Sequence, residues 1–343
     1  MGSLRLKRLI LLILCIVIFS FSSIALGQNA EPRKLFPIVV NGKGGYINAT
    51  GQIVVEPRFD LAIDFYEGLA NVQLGSKWGY INEKGQMVIE PKFQWAGLFT
   101  EGLAPVGIND LTGFIDKSGE VVIKPQFKFV SGFLEGLASF DSGGRWGYID
   151  KSGQIVIPPQ FDWAYDFNEG MARIEMNGKT GYIDKTGKVV IPPQFDKGSD
   201  FSEGLAVVEL RGRSSILDKA GRIAIKPQIM NPRVRVSFVD RFSEGLIAVI
   251  VGEKLGFMDK GGKVAIKPRF DGGGNFSEGL AQVNVNEKVG FIDKSGRLVI
   301  NPQFDFTYGF RDGLACVIVN NKDGGYRVGY INREGKYVWK PTF

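Results

Sequence analysis

Apolar residues in this chain come in short runs, each closed by Gly, Asn, Asp or Pro. Met171 to Met176 is followed by Asn177–Gly178–Lys179. Gly181–Tyr182–Ile183 leads into Asp184–Lys185–Thr186–Gly187, and Val189–Val190–Ile191 stops at Pro192–Pro193. Runs this short, rich in β-branched and aromatic residues, predict antiparallel strands joined by tight turns. Helices need longer periodic segments than this punctuation permits. The pattern repeats. From Gly45 it returns at Gly79, Gly113, Gly147, Gly181, Ser215, Gly256, Gly290 and Gly329, with spacings of 34 five times, then 41, 34 and 39. A fixed period of this size marks a tandem array. The expected fold is all-β: nine three-stranded meanders of about 34 residues.

Adjacent strand residues point to opposite faces. Tyr148 and Ile149 are both large and apolar, and Ile155, Val156 and Ile157 repeat the effect. Such runs predict sheets covered on both faces, hence sheets stacked on one another, with stability residing between units. Between units, two phenylalanines frame a linker, as Phe161 and Phe167 do in Phe161–Asp162–Trp163–Ala164–Tyr165–Asp166–Phe167. Their regular recurrence predicts plugs between neighbouring sheets. The array opens and closes inside its own motif, without the polar caps that open solenoids need. A closed, propeller-like ring is therefore expected, with an open β-solenoid or superhelix as the alternative. Nine thin blades exceed the usual four to eight.

One turn is invariant in chemistry. It starts with Asn or Asp (Asn48, Asp116, Asp150, Asp184) and ends three residues later with Gly (Gly51, Gly119, Gly153, Gly187). An acceptor side chain first and a left-handed glycine last suit a type I turn with a bulge. Calcium loops need several alternating oxygens, and Lys151 stands where one would be. A carboxylate also recurs before glycine, at Glu67, Glu101, Glu135, Glu169, Glu203, Glu244, Glu278 and Asp312. A group placed once per unit is placed by the repeat, so it is expected to accept backbone N–H bonds at a turn.

The motifs Lys77–Trp78–Gly79–Tyr80–Ile81 and Arg145–Trp146–Gly147–Tyr148–Ile149, with the N/D-x-x-G turn and the P-x-F and E-G-L-A elements, resemble the bacterial WG-repeat family. The resemblance spans Leu35 to Phe343. It departs at the Trp position, which is Thr112, Thr180, Ser214, Leu255, Val289 or Val328 elsewhere. It implies a β-rich repeat module, often on exported or envelope-associated proteins, and no catalytic residues.

The N-terminus is distinct. Arg5, Lys7 and Arg8 precede an apolar stretch from Leu9 to Phe21 and the small-residue end Ala25–Leu26–Gly27. This predicts a signal peptide over 1–27, a linker over 28–34 and the repeat domain over 35–343. The alternative is an uncleaved anchor, since Leu9 to Leu26 is nearly long enough to span a bilayer. Cleavage lowers the formal charge from +6 to +3, because the segment holds three basic residues and no acid. That removes the case for nucleic acid. Only Cys316 remains after cleavage, so no internal disulfide can form.

The chain contains no histidine, which excludes His-based triads and the usual zinc ligand set. No catalytic residue, cofactor or metal is expected. The anticipated role is an exported, non-catalytic scaffold at the cell envelope or outside the cell, binding a protein. A lectin-like module for envelope polysaccharide is the first alternative, and a two-carboxylate glycoside hydrolase the second. No stable membrane span is expected after cleavage. Two groups of candidate residues follow. The sixth unit loses W-G-Y and carries seven extra residues, giving Arg233, Arg235, Phe238 and Arg241 as a candidate partner-binding loop. Variable linker aromatics Trp95, Trp163, Tyr165, Phe306 and Tyr308 are candidates for stacking on a sugar or partner. Clustered exposed aromatics would favour a glycan over a protein partner.

Overall fold

The computed structural model describes residues 35–225, 236–320 and 326–342. Within them the chain forms nine antiparallel sheets and no helix. We call the sheets blades 1 to 9 and letter their strands a to d in chain order. Blade 5 sets the pattern: a is Trp163–Asn168, b is Met171–Met176, c is Lys179–Asp184 and d is Val189–Phe195, hydrogen-bonded in that order. Blades 1, 3 and 4 have the three strands b, c and d expected from the repeat. In the other six, the linker adds strand a. The linker is hard to recognise as a strand because its pairing is broken. In blade 5 the register shifts between Ala164 and Phe167, leaving Tyr165 and Asp166 outside the ladder. In blades 3 and 4 it makes only isolated bridges, such as Ala96 with Val106 and Val130 with Phe140.

Stacking of blades builds the core. Tyr80 and Ile81 are both buried, one on each face of blade 2. The second linker Phe packs on the aromatic of the preceding blade's strand c, except Phe242, which meets Ile216. Ring centroids lie 4.8 Å apart for Tyr80–Phe99 and 4.9 Å for Tyr148–Phe167. Strand d differs from expectation. Ile157 is buried, but Ile155 and Val156 are exposed, because strand d is the outer edge of the blade.

The W-G glycine has a packing reason. A Cβ on Gly147 would lie 2.5 Å from the carbonyl oxygen of Ile157 and 2.8 Å from the nitrogen of Pro159. Strand d bulges across strand c there, and only glycine leaves room.

The ring closes between blades 9 and 1. Phe36, Ile38 and Ile47 of blade 1 share one core cluster with Leu314, Cys316 and Tyr330 of blade 9. The Tyr330 hydroxyl donates to the Pro37 carbonyl at 2.8 Å. Arg311 of blade 9 donates to the Tyr66 hydroxyl of blade 2 at 2.7 Å. The closed ring expected from the sequence is thus the observed architecture. Strand a faces the axis, since Arg241, Asn275 and Arg311, on strand a of blades 7, 8 and 9, border one cavity with Phe36 of blade 1. The predicted signal peptide, 1–27, and linker, 28–34, lie outside the described residues.

Candidate ligand-binding cleft

Two recurrent acids are structural. In the c–d turn of blade 4, Asp150 Oδ1 accepts the N–H groups of Ser152 at 2.9 Å and Gln154 at 3.0 Å, and the Ser152 hydroxyl at 2.6 Å. These bonds, the Ser152 hydroxyl first, hold its carboxyl below the ordinary Asp range. The acid is committed to its own turn. The E-G glutamate clamps the next blade. Glu135 accepts the Gly170 N–H at 3.0 Å and pairs with Lys185 at 3.0 Å. The same link joins Glu101 to Gly136 and Lys151, and Glu203 to Gly245 and Lys260. Glu135 adopts φ 52° and Gly136 φ 87° in the a–b turn, a left-handed pair typical of a tight hairpin. Among the described residues, no cluster of three or more metal-ligating side chains occurs.

The linker aromatics behave differently. On the face that carries the b–c turns and the d-to-a links, blades 3, 4 and 5 enclose a cleft of about 620 Å³. Trp95, Phe129 and Trp163 line it from the same repeat position on three consecutive blades, joined by Trp146 and Tyr165. Trp95, Phe129 and Trp163 are 41%, 65% and 45% exposed, unlike the buried Phe pairs beside them.

The walls are fixed by their neighbours. Trp146 and Trp163 pack at 4.5 Å between centroids, and Trp163 and Tyr165 at 6.3 Å. The Arg173 guanidinium lies 3.4 Å from the centre of the Tyr165 ring and donates to Asp200 at 3.0 Å. The Tyr165 hydroxyl donates to Glu175 at 2.9 Å. Trp95 packs against bare backbone. Its strand-b partner is Gly107, where a Cβ would come within 2.3 Å of the indole. Burial raises the Asp166 carboxyl above the ordinary Asp range, while the Ser131 hydroxyl hydrogen-bonds it and opposes that shift.

The other candidates lie elsewhere. Phe306 and Tyr308 pack at 4.9 Å on blade 9 and border the axial cavity of about 560 Å³, together with Arg241. Arg233 and Arg235 fall outside the described residues. Phe238 is not in a loop. It belongs to strand a of blade 7, Val236–Ser243, pairs with Val249 and packs on the core cluster between blades 6 and 7. Phe238 thus serves the sheet and its packing. Phe129 and Trp146 are cleft residues that the candidate set omits. Phe129 shares the linker slot with Trp95 and Trp163, and that shared slot was the available signal. Trp146 had the appearance of a family signature alone.

With the ring and its W-G packing established, family comparison is decisive. Seven segments match the model described as WG containing repeat: 45–78, 78–111, 113–146, 146–179, 181–213, 256–288 and 290–322. The chain belongs to this family. A search of curated proteins finds no match. Among solved structures, the WG-repeat ring is similar to one titled "Crystal structure of the eukaryotic initiation factor". TM-score is 0.61 at 10% identity, covering 91% of this chain and 95% of that one. The dihydro-heme d1 dehydrogenase NirN gives TM-score 0.46 at 11% identity, covering 92% and 75%. Kluyveromyces lactis Hsv2 gives 0.40 at 12% identity, covering 78% and 95%. At such identities the likeness is one of fold alone.

Proposed function

We propose that this WG-repeat ring is an exported, non-catalytic binding scaffold whose ligand site is the aromatic cleft on blades 3 to 5. The supporting observation is the placement of Trp95, Phe129 and Trp163, exposed at one repeat position on three consecutive blades. Core packing does not call for large aromatics there. Lys197 and Gly272 fill the same position in blades 6 and 8. Recurrent carboxylates are engaged in turns and clamps, which leaves the cleft to bind rather than react. Export rests on the basic head, apolar stretch and Ala25–Leu26–Gly27 end. Partners of both classes, protein and polysaccharide, fit a scaffold, and the clustering of aromatics favours the second.

Two measurements test this reading. N-terminal sequencing of the secreted form is expected to start at Gln28, whereas Met1 on a cytosolic product overturns export. Cosedimentation with the envelope fraction of the source cell is expected for the native protein and lost in Trp95→Ala/Trp163→Ala. Equal retention of both removes the cleft from the site.

A further inference from the structure

We infer that the cleft on blades 3 to 5 binds a neutral polysaccharide, with Trp95, Phe129 and Trp163 as stacking platforms. This rests on the reading of the cleft as the ligand site. Pyranose rings present faces of weakly positive C–H groups, which the negative face of an aromatic ring attracts. Trp95 is built for such contact. Its indole lies against Gly107, the b-strand position that carries Asp141 in blade 4 and Glu175 in blade 5. A glycine there lets the indole pack directly against the backbone.

Part of the wall is braced before any ligand arrives. Trp163 is braced by Trp146 at 4.5 Å, and Tyr165 by Arg173 at 3.4 Å. Arg173 is in turn held by Asp200. A preorganised wall loses little side-chain freedom on binding, which suits a ligand that offers many weak contacts.

Charge decides against an acidic polymer. The cleft is bordered by Asp141, Asp162 and Asp166 and by one lysine, Lys128. Arg145 pairs with Asp162 and Lys128 offsets one of the other acids, so the border offers no net positive charge to hold an anionic polymer. Carboxylate oxygens on the border can accept from sugar hydroxyls. A protein hot spot is instead enriched in Arg beside aromatics, whereas Arg145 and Arg173, which touch lining residues, are committed to Asp162 and Asp200.

The test uses the purified protein with cellohexaose, mannohexaose and maltohexaose, and with hexagalacturonate as the anionic comparison. Titration is followed by tryptophan emission and calorimetry. At least one neutral hexasaccharide is expected to bind saturably with a shift in emission, and hexagalacturonate more weakly. Trp95→Ala and Trp163→Ala are each expected to weaken binding by about tenfold or more. Phe306→Ala, on blade 9, is expected to leave it unchanged. Circular dichroism checks that each variant folds. No binding by any neutral probe, or binding indifferent to both tryptophan variants, overturns the inference. A second arm separates the ligand class from the site. The envelope fraction is treated with periodate, which cleaves vicinal diols, or with protease. Loss of cleft-dependent retention after periodate but not protease supports a glycan. Loss after protease alone keeps the cleft as the site and overturns the glycan. Retention that never depended on Trp95 and Trp163 overturns the site itself.

Discussion

Individual residues carry two kinds of constraint here, and they differ in how they meet the backbone. Gly147 is constrained by absence: its missing Cβ is where the Ile157 carbonyl passes. Gly147→Ala is expected to destabilise the ring by ~1–3 kcal/mol, in the range of overpacked sites, because backbone cannot yield as a side chain would. Urea denaturation measures it, and an unchanged midpoint would disprove the close approach. Aspartates are constrained by what they accept. Lys43 hydrogen-bonded to Asp60 and Lys179 to Asp196 lower those carboxyls, as the Ser118 and Thr186 hydroxyls lower Asp116 and Asp184. A lowered folded pKa contributes stability above the unfolded value of about 3.9 and loses it as pH falls through the folded value. Asp166 runs the other way: its raised pKa means that protonation favours the fold. Many lowered groups outweigh one raised group. Thermal stability is therefore expected to be flat near neutral pH and to fall below about pH 4. A melting temperature that rises on acidification would contradict these assignments. The aromatic slot was only half legible. Variation among Leu61, Trp95, Phe129, Trp163 and Lys197 set it apart. Which of those rings share a cleft depends on their blades being neighbours on one face.

Elements are held by the same link repeated. A glutamate in the left-handed region is unfavourable locally, yet it recurs because its carboxylate crosses to the next blade. Lys185→Ala should cost little, about 0–1 kcal/mol, since the ion pair with Glu135 is solvent-exposed. Glu135→Ala should cost more, about 1–3 kcal/mol, because the Gly170 N–H loses its acceptor. Equal losses for the two variants would show that the ion pair, not the backbone bond, holds the blades. Strand a shows where sequence patterning fails at this scale. The linker contains Asp and Gly and breaks register, so nothing in its polarity marks it as a strand. It becomes one through pairing with strand b of its own blade while its Phe plugs the preceding blade.

For the whole molecule, closure means that each sheet has a neighbour on both faces. Removing strands c and d of blade 9 by ending the chain at Asn320 exposes the partner faces of blades 1 and 8. Such a truncation is expected to aggregate or melt well below the intact protein, as measured by scanning calorimetry and light scattering. A truncated chain that melts like the parent would favour an array of independent units over a closed ring. Tyr330→Phe is the mild counterpart. It removes one buried bond to Pro37 and should cost about 1–3 kcal/mol, because the Pro37 carbonyl is left buried without that donor.

Strand type, turn chemistry, repeat period and the interlocking phenylalanines were determined by the sequence alone. Each follows from local rules: alternation, acceptor-plus-glycine turns and a spacing that repeats. Tertiary structure decided the rest. Closure depended on how much each blade rotates relative to the last, a small angle summed over nine units, which no single repeat encodes visibly. Recruitment of the linker as strand a, the packing role of Phe238 and the gathering of Trp95, Phe129, Trp146, Trp163 and Tyr165 into one cleft are contacts between blades. Such contacts arise from which residues meet across an interface, and residues 34 apart in sequence meet only when the ring brings their blades together.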